Sequence, residues 1–240
     1  MTVIAMPREM ATLGKDVALG VAKELGLQVV HRELVERDIA ERMDVNRSTV
    51  HQFLEGTPRL WDRWKLDPKK LYRQTAQEML ELAEKGNVLI RGWGAVSLLR
   101  SVPHVLCIRV CAPMDFRIKV LMERLDLDSE KVARNEIVKN DKAHERSARL
   151  RNVSGWTNAT NFDLVLNTER VQVAHCVEQI NQLAASNAFS ETSESAQVLS
   201  DMLTKTRIRN ALSIKEDVEI LDRDPNQDLR PIRRPTRRTS

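Results

Sequence analysis

Short apolar runs alternate along this chain with longer segments in which apolar residues recur every three or four positions. The runs are rich in Val, Ile and Leu and end at Pro, Gly or polar residues, which is typical of strands buried on both faces. We predict strands at 3–6, 27–30, 87–90, 104–111 and 162–167. Alternation of such strands with helices predicts an α/β fold, a parallel sheet flanked by helices.

The segments with helical periodicity lie between the predicted strands. We predict helices at 17–25, 32–43, 47–54, 69–85, 114–125, about 128–152 and 171–185. Ligands of parallel sheets bind at the carboxyl ends of the strands. Three loops are expected there: Pro7 to Gly14, Arg91 to Gly94, and the turn after Asn167.

Composition divides the chain into four segments. Residues 1–185 form the predicted domain, and the Ser- and Asn-containing stretch 186–195 is a predicted linker. Residues 196–221 predict one helix and one short strand, too little to bury a core alone, so this segment must dock onto the domain or be a remnant. We expect residues 222–240, rich in Pro, Arg and Asp, to be disordered.

The chain has 240 residues, of which 42% are hydrophobic and 30% charged, as in a soluble globular domain. No apolar run reaches the roughly 18–20 residues that a membrane span needs, so we expect no integral membrane association. The N-terminus lacks the pattern of a secretory signal. Three cysteines, Cys107, Cys111 and Cys176, are too few for a disulfide framework. We therefore expect core thiols and a cytoplasmic location.

The net charge of +4 comes from one end of the chain. Residues 229–240 carry five arginines and no acid, so the other 228 residues have a net charge of −1. Aromatic residues make up 4%, which leaves little material for stacking on bases. Nucleic acid is therefore a disfavoured partner, and nothing in the sequence fixes the oligomeric state.

The first loop has the layout of a phosphate-binding loop, since a buried strand is followed by a loop and then a helix. Of the full signature, only Gly14-Lys15 is present. Glu9 stands where the first glycine belongs, and Asp16 stands where a hydroxyl would bind magnesium. An ordinary glycine-containing turn is the alternative interpretation of this short pattern.

From residue 1 to about 185 the chain resembles the cytidylate kinase-like family of P-loop nucleotide kinases. The segments that carry the resemblance occur in the family's order: Arg8-Glu9-x5-Lys15-Asp16-Val17-Ala18, His31-Arg32-Glu33-Leu34, Val88 to Ala95, Ala112-Pro113-x3-Arg117, Asp141 with the arginine-rich run to Trp156, and Phe162 to Thr168. The resemblance implies a helical acceptor-binding region at about 31–85 and a mobile lid at about 126–160.

The resemblance also implies roles for individual residues. Residues Thr12, Gly14, Lys15 and Asp16 would cradle the phosphates of ATP, with Lys15 as the point charge. Residues Arg32, Arg91 and Arg117 would hold the acceptor's phosphate. In the lid, Asp141, Arg146 and Arg149 would act in catalysis, and Asn167 would contact the donor base. The implied activity is Mg²⁺- and ATP-dependent phosphoryl transfer to a nucleoside monophosphate. The resemblance to this family implies that the acceptor is CMP.

Several positions depart from the family pattern. The family's Gly-Ser-Gly-Gly reads Ala11-Thr12-Leu13-Gly14 here, and we expect the two lost glycines to remove the freedom to adopt positive φ. Trp93 stands where the family has an arginine, and His144 stands where an arginine is common. These departures favour an alternative function, a catalytically impaired nucleotide sensor or scaffold with a kinase fold.

A second alternative is a DNA-binding regulator. Residues 39–54 have the pattern of a helix-turn-helix, with Ala40 packing the two helices, Asp44 at the turn and Val50 anchoring the second helix. The same stretch also aligns with the acceptor-binding region of the kinase-like family.

Overall fold

Five parallel strands form one sheet at the centre of the protein. The computed structural model describes residues 1–7, 9–30, 32–54, 68–92, 94–149 and 157–212. The strands are β1 (Val3–Met6), β2 (Gln28–Val30), β3 (Val88–Arg91), β4 (Val105–Cys111) and β5 (Leu164–Asn167). Their spatial order is β2-β3-β1-β4-β5, and every neighbouring pair is parallel. The predicted α/β fold is confirmed.

Helices follow the strands and cover both faces of the sheet. They are α1 (Gly14–Leu25), α2 (Arg32–Met43), α3 (Arg47–Leu54), α4 (Pro68–Lys85), α5 (Ala95–Leu99), α6 (Met114–Leu125), α7 (Glu130–Arg149), α8 (Val173–Ala184) and α9 (Ser193–Ala211). The short helix α5 was not predicted, because five residues span too few turns for a periodic pattern. None of the described helices has both the length and the apolar character needed to cross a membrane.

The alternation of side chains along the strands divides the core into two layers. In β1, Val3 and Ala5 join one hydrophobic cluster, and Ile4 and Met6 join the other. The first cluster includes residues of α2, α4, α5 and α9, and the second includes residues of α1 and α8. Strands buried on both faces need apolar residues at successive positions, which is why these strands appear as continuous apolar runs.

The last described helix, α9, packs against the same core as the first 185 residues. Its N-terminus is closed by a capping box between Thr192 and Ser195. Leu199 and Leu203 are buried in the first cluster, and the Ser195 hydroxyl lies 2.8 Å from Nδ1 of buried His104. The predicted strand within 218–221 and the tail 222–240 lie outside the described residues.

Candidate functional site

The carboxyl ends of the strands bring separate parts of the chain to one edge of the sheet. Met6, the last residue of β1, lies in register with Arg91, the last residue of β3. Cys111 at the end of β4 lies in register with Asn167 at the end of β5. The segment 7–13, which we call the β1–α1 loop, leaves this edge between β3 and β4 and leads into α1.

Two residues of the β1–α1 loop adopt left-handed backbone conformations although neither is glycine. Ala11 has a φ of 60° and Leu13 a φ of 55°. The expectation that the lost glycines would remove positive φ is therefore wrong. This conformation costs an L-residue about 1–2 kcal/mol of free energy, and contacts with neighbouring residues must offset that cost. At Leu13 the carbonyl accepts hydrogen bonds from the N–H groups of Asp16 (2.9 Å) and Val17 (3.0 Å), which starts α1.

Hydrogen bonds fix the loop from three sides. The buried Thr12 hydroxyl donates to the Glu9 carbonyl at 3.1 Å. The Thr12 carbonyl in turn accepts the Thr168 hydroxyl at 2.8 Å. Nε of Arg117 donates to the Met10 carbonyl at 2.8 Å. The hydroxyl of Thr12 is thus engaged within the loop, and the loop is tied to the ends of the sheet and to α6.

A buried carboxylate lies at the base of the loop. Glu9 is only 7% exposed and accepts a 2.6 Å hydrogen bond from Nε of Arg109. The same arginine donates to the carbonyl of Thr157 at 2.7 Å. Sequence reasoning missed Arg109, although a cation in the middle of the apolar run of β4 was a usable signal. Burial of an unpaired carboxylate costs free energy, and the ion pair with Arg109 reduces this cost for Glu9.

The N-terminus of α1 presents unsatisfied donors. The N–H of Asp16 donates to the Leu13 carbonyl. The N–H groups at the very start of a helix have no intrahelical acceptor, and no side chain caps α1. Lys15 is exposed, and it forms no ion pair with any described residue. Gly14 lies close to Thr12, since a Cβ on it would be 3.2 Å from Oγ1 of Thr12. A helix N-terminus with a free lysine can hold an anion.

Asp16, in the first turn of α1, pairs with a cation of α6. Its Oδ2 lies 3.1 Å from Arg124, and both side chains are more than two-fifths exposed. An exposed pair of this kind is worth little free energy. The Asp16 carboxylate is therefore held near the loop by a contact that a stronger ligand can replace.

The predicted acceptor and lid residues have different surroundings. Arg117 in α6 is buried and forms a two-point ion pair with Asp141 in α7, at 2.9 and 2.8 Å. Arg146 is exposed on α7, and Arg149 ends that helix. Arg91 ends β3, half-buried, and Arg32 begins α2. The structure thus joins two residues, Arg117 and Asp141, for which the family resemblance implied separate roles.

Asn167 shapes the turn at the end of β5. Its Oδ1 accepts the N–H of Glu169 at 3.0 Å, and its carbonyl accepts the N–H groups of Arg170 and Val171. This side chain stabilises the turn that carries Thr168 to the β1–α1 loop. Contact with a donor base stays a prediction.

The three cysteines lack the properties of nucleophiles. Burial raises the pKa of Cys107 to about 12, and burial also raises the pKa values of Cys111 and Cys176. A thiol must ionise to attack or to bind a metal. Within the described ranges, no group of three or more His, Cys, Asp or Glu side chains is arranged to hold a metal ion.

Two consecutive helices, α2 and α3, lie where the sequence pattern at 39–54 suggests a helix-turn-helix. Asp44 takes the turn at a φ of 52°, and Val50 is fully buried. Glu36 of α2 lies 2.9 Å from His51 and 3.6 Å from Arg47, both on α3. The imidazole of His51 and the guanidinium of Arg47 on the second helix thus face a carboxylate of their own protein. DNA binding through this pair stays a prediction.

Comparison with known proteins identifies the family. The model of the cytidylate kinase-like family matches residues 3–170, which is more than half of the chain. The chain therefore belongs to the cytidylate kinase-like family. The family and the fold together support a nucleotide kinase-like function.

Comparison with solved structures finds similar chains at low sequence identity. An uncharacterized protein from Eubacterium ventriosum is 21% identical with a TM-score of 0.61, over 78% of this chain and 100% of that one. Shikimate kinase from Bacteroides thetaiotaomicron is 14% identical with a TM-score of 0.47, over 76% and 97% of the chains. Deoxyadenosine kinase from M. mycoides with bound dCTP is 12% identical with a TM-score of 0.42, over 78% and 100%. No curated protein matches the chain.

Proposed function

We propose that the protein transfers a phosphoryl group from ATP, bound with Mg²⁺, to a nucleoside monophosphate, with CMP as the first acceptor to test. The observation that supports this best is the pairing of an α1 N-terminus that no side chain caps with an exposed Lys15 that forms no ion pair with a described residue. Both features lie at the edge of the sheet where ligands of such folds bind. Membership of the cytidylate kinase-like family points to the same chemistry.

The residues present fit a triphosphate. The first N–H groups of α1 and the ammonium of Lys15 would hold phosphate oxygens, the helix dipole adding to the attraction. Glu9 does not oppose this, because its charge is already compensated by Arg109 at 2.6 Å. The left-handed residues Ala11 and Leu13 give the loop the positive φ values expected of the family's glycines.

Asp16 is the residue that fits Mg²⁺. The Thr12 hydroxyl is buried and donates to the Glu9 carbonyl, so it is not placed to bind the ion. Mg²⁺ usually binds one or two carboxylates together with the phosphates of the substrate. The exposed Asp16–Arg124 pair leaves the second carboxylate oxygen available. The metal would neutralise phosphate charge that the Asp16 carboxylate would otherwise repel.

The protein's contribution to the transfer would be positioning and positive charge. Arg146 on α7, in the segment that the resemblance assigns to the lid, would supply charge to the transferring group. Arg91 at the end of β3 and Arg32 at the start of α2 would hold the acceptor's phosphate. No protein nucleophile is required for a direct in-line transfer.

A second candidate function is nucleotide binding without turnover. It is favoured by the side chains at Ala11 and Leu13, where the family's loop has glycines, and by the carboxylate of Asp16 in place of a hydroxyl. Under this hypothesis the protein binds ATP and acts as a sensor or scaffold. Binding and turnover must therefore be measured separately.

The test combines a phosphoryl-transfer assay with Mg²⁺·ATP against CMP and a panel of other nucleoside monophosphates with a separate calorimetric titration of Mg²⁺·ATP. We would compare wild type with Lys15→Ala and with Lys23→Ala, an exposed lysine at the opposite end of α1. We expect wild type and Lys23→Ala to transfer the phosphoryl group at similar rates. The rate of transfer by Lys15→Ala should be lower by about 100-fold or more. ATP binding without transfer to any acceptor would favour the sensor, and absence of ATP binding would overturn both functions.

A further inference from the structure

We infer that Arg117 is a positioning residue that locks the β1–α1 loop to α7, and not a ligand of the acceptor's phosphate. This inference rests on the proposed function and changes the part that Arg117 and Asp141 take in it. The geometry that carries it is the simultaneous contact of one buried guanidinium with the loop and with α7.

Three of the five N–H donors of the Arg117 guanidinium are engaged, on two sides of the group. Nε donates to the Met10 carbonyl at 2.8 Å, and the two terminal nitrogens donate to the two carboxylate oxygens of Asp141 at 2.9 and 2.8 Å. The Arg117 side chain is 8% exposed. A buried charge with three such hydrogen bonds is costly to remove from its partners, so Arg117 is poorly placed to follow a substrate.

The apolar contacts of the loop point the same way. Ala11 is 5% exposed and belongs to a hydrophobic cluster whose other members come from α6 and α7: Ile118, Leu121, Ala133 and Ile137. Met10 packs against this cluster as well. The methyl group of Ala11, which a glycine would lack, therefore anchors the loop to the two helices and helps to offset the cost of its φ of 60°.

Together these contacts couple the β1–α1 loop to α7, so that the two segments move together. Met10, held by Arg117, directly precedes the left-handed Ala11, so a shift of Arg117 would change the backbone that leads to the phosphate-binding end of α1. Asp141 sets the direction of the guanidinium. A displacement of α7 would then change the position of the bound phosphates. Binding of the phosphates would in turn change the position of α7.

The chain offers a matched control for this pair. Arg134 of α7 and Asp115 of α6 form an ion pair at 3.0 Å between the same two helices, but their side chains are 50% and 85% exposed and neither is bonded to the loop. The variants to compare are Asp141→Asn and Arg117→Lys, with Asp115→Asn and Arg134→Lys as controls. Lysine keeps the charge but cannot bond Met10 and both carboxylate oxygens together.

The first measurement needs no nucleotide. We expect amide hydrogen exchange within residues 10–13 to become about tenfold faster in Asp141→Asn, although Asp141 does not touch those residues. The Asp115→Asn control should leave exchange in the loop unchanged. Equal loop exchange in wild type and Asp141→Asn would overturn the inference.

The second measurement separates positioning from acceptor binding. We expect Arg117→Lys, Asp141→Asn and the double variant to lower kcat by a similar factor of about tenfold or more, with the KM for the acceptor within about twofold of wild type. If Arg117 binds the acceptor's phosphate, Arg117→Lys raises that KM and Asp141→Asn does not. That result would overturn the inference while leaving the proposed function intact. If wild type transfers no phosphoryl group, the proposed function fails and the exchange measurement alone decides the inference.

Discussion

The hydroxyl of Thr168 donates a hydrogen bond of 2.8 Å to the carbonyl of Thr12. Thr168 directly follows β5, and its N–H donates to the carbonyl of Cys111 at the end of β4. One residue therefore ties the β1–α1 loop to the ends of two strands. Because Thr12 and Thr168 are both buried, water cannot replace this bond.

Replacement of Thr168 by valine tests this bond. Thr168→Val keeps the shape of the side chain but leaves the Thr12 carbonyl without its donor, which should cost about 1–3 kcal/mol of unfolding free energy. Chemical denaturation measures the loss, and Thr160→Val, at an exposed threonine, is the control. Equal stability of Thr168→Val and wild type would show that the loop is held by other contacts.

Helices α1 and α8 pack closely at Gly20. A Cβ on Gly20 would lie 2.6 Å from Cγ2 of Val177, whose side chain is buried. Alanine favours helices over glycine by about 1 kcal/mol, but overpacking of a core costs about 1–3 kcal/mol. We expect Gly20→Ala to lower the free energy of unfolding measured by urea titration.

A second substitution checks that the clash with Val177 is the cause. In the Gly20→Ala background, Val177→Ala removes the clashing methyl groups and should be less destabilising than Val177→Ala alone. Additive effects of the two substitutions would contradict the close packing of α1 on α8.

The pH dependence of stability should report on His104, which α9 covers. Burial lowers the pKa of His104 below its usual 6.5, because the charged ring loses its hydration. The unfolded chain then binds the proton more readily than the folded one, so stability is complete above about pH 6.5 and falls as the pH drops below it. We expect His104→Asn to reduce this loss between pH 6.5 and 5, measured by thermal unfolding.

The control for His104 is His175, which is exposed on α8. His175→Asn should leave the slope of stability against pH as it is in wild type. The same acid-dependent loss in His104→Asn and wild type would mean that other groups produce it.

Most of the fold could be predicted because strands buried on both faces carry an unambiguous signal. The runs at 3–6 and 104–111 became β1 and β4 within one residue at each end. One helix within 196–221 was also expected, with docking as one of two alternatives. The surface that it docks against was not predicted, because Leu199 and Leu203 show only that one face is apolar and not what covers it.

The candidate site could be predicted in position but not in contacts. The spacing of Gly14 and Lys15 after β1 located the loop, since strand, loop and helix are contiguous in sequence. The pairing of Arg117 with Asp141 joins residues 24 positions apart and depends on how α6 and α7 pack. The left-handed conformation of Ala11 could not be predicted either. The apolar contacts that offset the free-energy cost of that conformation come from other helices, α6 and α7.

The measurement that tests the account most directly is a calorimetric titration of Mg²⁺·ATP into wild type, Lys15→Ala and Lys23→Ala. If the N-terminus of α1 is the phosphate site, wild type and Lys23→Ala bind with a Kd on the order of micromolar and Lys15→Ala loses about tenfold or more in affinity. Equal binding by Lys15→Ala and wild type, or binding by neither, would contradict a phosphate site at the N-terminus of α1.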